Sequence, residues 1–377
     1  MRLKYSLGLT AVTFLLSACG NQFSAQVERA VVDNKEAKSL SEWRSSAHNP
    51  EAIFSGWRDK VSDSPGSSEG MMGSICGSLA DLDGEALSLF DEQIKEEANK
   101  PLLTACKENL ILTLEKYYAA QRQILESSVD ATQEKSSINS FKFPDNVQTR
   151  DLSAGYRAIT GDVAKKEVVL TFDDGPSYEY TQSILRSLKE VNAKAMFFAL
   201  GKNVRLNADV LKMVAADGHS VGSHSITHTC LGTSASCLRA NGRNLTTAEA
   251  VAEIRGGHQA IYDVLGWVDP FFRFPYGESS PDLANYLKNN QVGEFYWAID
   301  SEDWKAQSYE NLLKKTLAQI DARGRGVVLF HDIQRRTAEV LPQFLRELYN
   351  RGFSVVLLQP ADANAKYNSK LVTKPLP

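Results

Sequence analysis

From about residue 165 onward, short apolar runs alternate with stretches of helical periodicity, and this alternation limits the chain to a narrow set of folds. The runs lie at 168–172, 195–200, 220–223, 271–274, 295–299, 327–330 and 355–358. Between them, apolar residues recur at helical spacing near 178–191, 204–216, 246–265, 281–290, 308–322 and 337–351, the pattern that lines one face of a helix. Such repeats predict parallel strands joined by helical crossovers in an α/β fold. With about seven strands, a closed or distorted (β/α) barrel competes with an open doubly wound sheet. Both place their chemistry at the C-terminal ends of the strands, so the polar residues just after each run matter most.

The first run leads into Thr171-Phe172-Asp173-Asp174-Gly175-Pro176. An Asp-Gly turn is common in itself. Two adjacent carboxylates at a strand end repel each other, however, and a bound cation relieves that repulsion. His224 and His228 follow the third run. On one helical turn, residues four apart share a face, so both imidazoles can meet one ion. Asp174, His224 and His228 then supply two nitrogens and one carboxylate, a set for catalytic zinc with an open position. The same set holds ferrous iron in some oxygenases; the remaining motifs suit hydrolysis and favour zinc or a similar Lewis acid. His48, His219 and His258 have no such arrangement and read as surface or packing residues.

Three further motifs end later runs. Arg273-Phe274-Pro275-Tyr276-Gly277 offers an Arg that holds Asp173 ionised, and a Tyr276 backbone amide that can stabilise an oxyanion. Asp300-Ser301-Glu302-Asp303-Trp304 is acidic and reads otherwise as a solvated loop. Leu329-Phe330-His331-Asp332 places a His near carboxylates, where it can act as a general acid.

In this order T-F-D-D-G-P, H-S-x-x-H, R-x-P-Y-G, D-x-x-D-W and L-x-H-D resemble the five motifs of the polysaccharide deacetylases, carbohydrate esterase family four with its NodB-like homology domain. The resemblance covers about residues 165–360. It implies a distorted (β/α) barrel, one divalent metal (zinc first, cobalt or another ion as alternatives) and removal of acetyl groups from a glycan. By the same resemblance Asp173 is the catalytic base, Asp174, His224 and His228 bind the metal, and Arg273 positions Asp173. The Tyr276 amide joins the oxyanion hole, and His331 is the general acid, oriented by Asp303 with Asp300 as second choice. Trp304 and Leu329 wall the acetyl pocket. One departure is an insertion at residues 229–243, which carries Cys230 and Cys237 and bears on the substrate rather than the chemistry. The rival functions are a glycan-binding relative without turnover, against which the intact motifs argue, and a hydrolase of small cyclic amides or ureides, against which export argues.

Export is read from the N-terminus. Arg2 and Lys4 precede an apolar stretch at residues 7–16, too short to span a bilayer comfortably. It ends in Leu16-Ser17-Ala18-Cys19, which resembles the lipobox of bacterial lipoproteins, where the cysteine carries lipid. The expectation is a signal peptide at 1–18 and a lipoprotein anchored through Cys19, facing the periplasm or the cell surface. Of the five cysteines, four then remain, and an oxidising compartment allows Cys230–Cys237 and Cys76–Cys106 disulfides. Residues 19–70 are polar and read as a tether, although Trp43 and Trp57 point to some packing there. Residues 71–150 read as a helical accessory segment and linker, with Leu87, Phe90, Ile94, Leu103, Leu110, Leu114 and Tyr117 at helical spacing, and 151–377 as the catalytic domain. A formal net charge of −4 gives no basic footprint for nucleic acid. Location at a bacterial envelope makes peptidoglycan the expected polymer, ahead of chitin or poly-N-acetylglucosamine.

Overall fold

The computed structural model describes residues 50–63, 68–127 and 141–373. Cys19, the signal segment, Trp43, His48 and most of the expected linker lie outside them. The chain divides into two compact units, one up to Ala120 and one from Gln121 onward.

The first unit is helical. Its main helices are α1 (Pro50–Asp63), α2 (Ser68–Ala80) and α3 (Lys107–Ser127), with short helical turns between Gly84 and Leu103. The α1 stretch falls in the region expected to be a tether, and here it is a helix. Averaged over the stretch, composition is polar, yet Ile53, Phe54 and Trp57 recur at helical spacing and are buried. The Phe54 ring stands 4.9 Å from that of Trp57 and 6.2 Å from that of Phe90. Leu87, Ile94, Leu103, Leu110 and Leu114 are buried as their spacing predicts, while Tyr118 rather than Tyr117 completes the stripe on α3. Cys76 and Cys106 are bonded and close this unit.

The second unit is α/β. Its strands are β1 (Val147–Arg150), β2 (Arg157–Ala158), β3 (Glu167–Asp173), β4 (Met196–Ala199), β5 (Ser220–Ser223), β6 (Phe271–Phe272), β7 (Gly293–Phe295), β8 (Ile299–Asp300), β9 (Gly326–His331), β10 (Ser354–Val355) and β11 (Leu357–Pro360). The main sheet runs β2-β7-β6-β5-β4-β3-β9-β8, with β10 on β3, and curls into a half-barrel. Every strand pair is parallel. The crossovers are α4 (Tyr180–Glu190), α5 (Gly201–Leu206), α6 (Ala208–Ala216), α7 (Ala235–Asn241), α8 (Thr247–Leu265), α9 (Pro281–Asn289), α10 (Tyr309–Arg323) and α11 (Arg335–Asn350). Val169, Met196, Phe198, Phe271, Phe295, Val327 and Leu358 fill the inside of the curl. Because parallel strands are covered on both faces, they read as unbroken apolar runs.

The strands differ from the sequence reading in several places: the run at 355–358 is divided between β10 and β11, and β2 answers to no run. The run at 295–299 is split between β7 and β8, and the Tyr296 carbonyl in the break accepts from Arg273 Nη2 at 2.9 Å. The α/β unit also begins before residue 151, since β1 pairs with β11. Four polar residues in β1 carry no apolar run and gave no strand signal.

Candidate functional site

β3 and β9 are paired in parallel, and their register sets Asp173 opposite His331. Both motifs therefore leave the sheet side by side at its C-terminal edge. Asp174 follows at once with φ +75°, and Asn203 Nδ2 donates to its carbonyl at 2.6 Å. Gly175 carries the turn back under the site. A Cβ there would lie 2.0 Å from Asp332 Oδ2, so no other residue fits without displacing that carboxylate.

His224 and His228 do converge on Asp174, but not from a helix. The segment after β5 is an irregular loop, with φ +74° at Ser225 and +66° at His228. The expectation of a helical turn is thus corrected: two left-handed residues reverse the chain and bring the rings together. Asp174 Oδ1 lies 3.5 Å from His224 Nε2 and 3.5 Å from His228 Nε2. The three donor atoms all lie within 4.8 Å of one another.

These residues fit a divalent cation on three grounds. Asp174 Oδ1 is buried with no hydrogen-bond partner, a costly state for a carboxylate unless a cation answers it. His224 Nδ1 is 2.7 Å from the Arg273 carbonyl. A carbonyl only accepts, so the ring proton sits on Nδ1 and Nε2 presents its lone pair. Burial, with His228 close by, pushes the His224 imidazole down to about 3, and burial lowers His228 as well, so both rings are neutral at pH 7 and able to ligate.

Beside this triad Asp173 is buried and held by Arg273. Nη1 of Arg273 donates to Asp173 Oδ1 at 2.6 Å and to Thr171 Oγ1 at 2.8 Å, and its guanidinium lies 4.5 Å from the Phe198 ring centroid. The second carboxylate oxygen, Oδ2, faces His224 Nε2 at 3.8 Å. Burial raises Asp173 to about 6 against the pull of Arg273 and His331.

On the other flank His331 Nδ1 donates to Asp303 Oδ1 at 2.7 Å, while Asp303 Oδ2 accepts the His331 amide at 2.7 Å and the Thr337 hydroxyl. Burial alone would lower His331. The charge of Asp303 and its hydrogen bond outweigh burial, with Asp174 and Asp173 adding to them, and hold the imidazole at about 10. Asp300, the second choice for this partner, caps Glu302 N at 2.9 Å instead.

Tyr276 takes φ +61° in the turn after β6, and its ring packs 4.7 Å from that of His228. Trp304 is exposed beneath Lys305 Nζ, 4.9 Å from its ring, and Leu329 is buried in β9 next to Thr171 in register. Cys230 and Cys237 are bonded. The insertion that holds them forms α7, and Ser236 Oγ donates to Glu278 Oε1 at 2.6 Å, tying it to the turn after Tyr276. His219 and His258 are buried away from the triad, each with its ring driven neutral by burial.

The family model for polysaccharide deacetylases matches residues 160–295. A solved Bdellovibrio bacteriovorus peptidoglycan deacetylase is 53% identical, with a TM-score of 0.80, over 94% of this chain and 99% of that one. The chain belongs to the polysaccharide deacetylases. Among curated members, a peptidoglycan-N-acetylglucosamine deacetylase of Bacillus cereus is 35% identical over 50% of this chain and 68% of its own length. One of Listeria monocytogenes is 33% identical over 59% of this chain and 43% of that protein, so the match spans less than half of the latter.

Sequence patterns alone do not reveal several residues that hold the site in this family member. Thr171 opens the first motif but had no role there, and Thr337 lies in none; their contacts cross 102 and 34 residues respectively. Trp297 packs 5.7 Å from the Arg273 guanidinium and against Gly277. Asp332 stood inside L-x-H-D, but its partner, Thr181 Oγ1 at 2.6 Å, lies on α4. The positive φ angles at Asp174, Ser225, His228, Tyr276 and Glu302 are likewise invisible in sequence; each is costly backbone of the kind that clusters at functional sites.

Proposed function

We propose that this chain hydrolyses acetyl groups from the N-acetylated sugars of a glycan polymer, peptidoglycan first among them, with one divalent ion held by Asp174, His224 and His228. The register of Asp173 opposite His331 carries this reading, because it sets a carboxylate and a protonated imidazole side by side next to one three-donor centre. The names of the Bdellovibrio, Bacillus and Listeria relatives support the polymer assignment.

Bound there, zinc or a similar ion supplies a Lewis acid for the acetyl carbonyl and the attacking water. Asp173, anchored through Oδ1 by Arg273, takes the water's proton on Oδ2. The Tyr276 amide donates to the developing oxyanion. His331, kept cationic by Asp303, gives its proton to the departing amine, so water and amide become acetate and a free amino sugar. Trp304 and Leu329 flank the acetyl group. We also propose export and a lipid anchor at Cys19. The Leu16-Ser17-Ala18-Cys19 sequence supports this, as does the pair of disulfides that suits an oxidising compartment.

Purified protein incubated with sacculi, chitin oligomers and poly-N-acetylglucosamine tests the substrate, read by mass spectrometry for loss of acetyl. Deacetylated muropeptides are expected. Sacculi left fully acetylated while chitin oligomers are consumed would overturn the peptidoglycan assignment and leave the deacetylase intact.

A further inference from the structure

His224 is fixed through its own ring, by the Arg273 carbonyl. Among the described residues no hydrogen bond anchors the His228 ring in this way: its backbone amide donates to Ser225 Oγ at 3.2 Å, the Tyr276 ring packs on it, and its position otherwise follows from the path of the loop. That loop carries two residues of left-handed backbone, at Ser225 and His228, so something outside it must hold it in place.

The holder is one face of α8. Glu253 Oε2 accepts from the amides of both Ile226 and Thr227 at 3.0 Å, and Oε1 accepts the Thr227 hydroxyl at 3.1 Å. Three and four residues on, Gly256 and Gly257 share that face. A Cβ on Gly257 would lie 2.6 Å from the Ser225 carbonyl oxygen, and one on Gly256 would lie 2.1 Å from Ile226 Cδ1. The glycines thus let the helix backbone approach the loop, and the carboxylate grips the two amides at its tip. The start of α5, close to Gly257 of α8, also holds the loop: the amides of Gly201 and Lys202 donate to the Ser225 and Ile226 carbonyls at 2.9 Å each. Both helices hold the loop, and among the hydrogen bonds named here Glu253 is the one side chain that either helix contributes.

We propose that Glu253 is a positioning residue of the metal centre, setting the loop so that His228 meets the ion, with Gly256 and Gly257 permitting the close approach. This rests on the reading of Asp174, His224 and His228 as metal ligands. Glu253 touches neither ion nor substrate; it acts through the backbone of residues 226–227.

Zinc affinity, measured by titration against a competing chelator, tests this together with thermal stability of the metal-free protein. Glu253→Ala weakens zinc binding by about tenfold or more, as loss of supporting hydrogen bonds around a ligand typically does. Glu253→Gln keeps an acceptor oxygen for the amides and recovers most of that affinity. Glu249→Ala is the control: it removes the capping box of the same helix, whose Thr246 and Glu249 bond reciprocally, and so lowers stability while zinc affinity stays put. Gly257→Ala, which pushes on backbone rather than on a flexible side chain, weakens zinc more than Gly256→Ala does. Wild-type zinc affinity in Glu253→Ala overturns the proposal, and so does an equal loss in Glu249→Ala, which would trace the effect to helix integrity. If Glu253→Ala does not fold, wild-type affinity in Gly257→Ala overturns it. A wild-type protein that takes up no divalent ion removes the metal-centre reading and this inference together.

Discussion

Asp303 and His331 share two hydrogen bonds at 2.7 Å, and this pair fixes what the imidazole does across the pH range. The folded value of about 10 lies above the ordinary 6.5. The stabilisation Asp303 lends to the cation is therefore fully present below 6.5 and is lost as pH rises through about 10. A cation bound at Asp174 offsets part of that rise, so the alkaline limb of kcat should lie below the upper value, and Asp303→Asn should move it further down; a limb unchanged in that variant would show another acid. Asp173 must be ionised to act as base, and burial raises it to about 6. A cation bound beside it lowers it, so the acid limb lies at or below that pH. Asp173→Asn keeps the size of the side chain and its neighbours. It should retain zinc while kcat falls by about 10² or more, as measured by acetate release and metal analysis of the same sample.

Among the elements, the strand ends do the positioning, and the turns after them tolerate little change. Gly175 has no room for a Cβ beside Asp332, whose carboxylate accepts from Thr181. Gly175→Ala should destabilise the second unit by about 1–3 kcal/mol through overpacking. Gly73→Ala, with nothing within 4 Å in α2, should leave the melting temperature level or raise it; an equal, small effect of both changes would contradict the packing at Gly175. Elements of this kind were legible in sequence where one rule decided them. β3 and β9 contain the apolar runs at 168–172 and 327–330, and α8 falls within the helical spacing at 246–265, so the residues at the strand ends could be read directly. The loop of His224 and His228 could not be read: H-x-x-x-H spacing suits a helix as well as a loop, and only the backbone angles at Ser225 and His228 separate the two. The helix at Pro50–Asp63 was hidden by the polar average of its surroundings, and β1 by its lack of apolar residues. The choice of Asp303 over Asp300 rested on the family resemblance, and the geometry that distinguishes them is a contact across 28 residues of chain.

For the molecule as a whole, the buried imidazoles outside the centre add to its response to acid. Burial drives His219 to about 3 and His258 to about 4, below the ordinary 6.5. Above 6.5 both are neutral in the folded and unfolded chain alike. As pH falls below 6.5 the unfolded chain takes up protons that the folded chain refuses, so stability is lost toward pH 4. The His258 shift corresponds to roughly 3 kcal/mol at its limit. Denaturant unfolding of the metal-free protein should show a clear loss between pH 7 and pH 5, shrinking in His258→Gln; a flat profile would contradict the burial of these rings. The central claim concerns the assembled site, where Asp174, His224 and His228 gather within 4.8 Å beside Asp173 and His331. Acetate released from N-acetylglucosamine oligomers or sacculi, followed before chelation, after it and after zinc is returned, tests that claim most directly. The account predicts release that stops with chelation, resumes with zinc in the wild-type protein, and does not resume in His224→Ala. Full release in strong chelator by protein free of metal would contradict it.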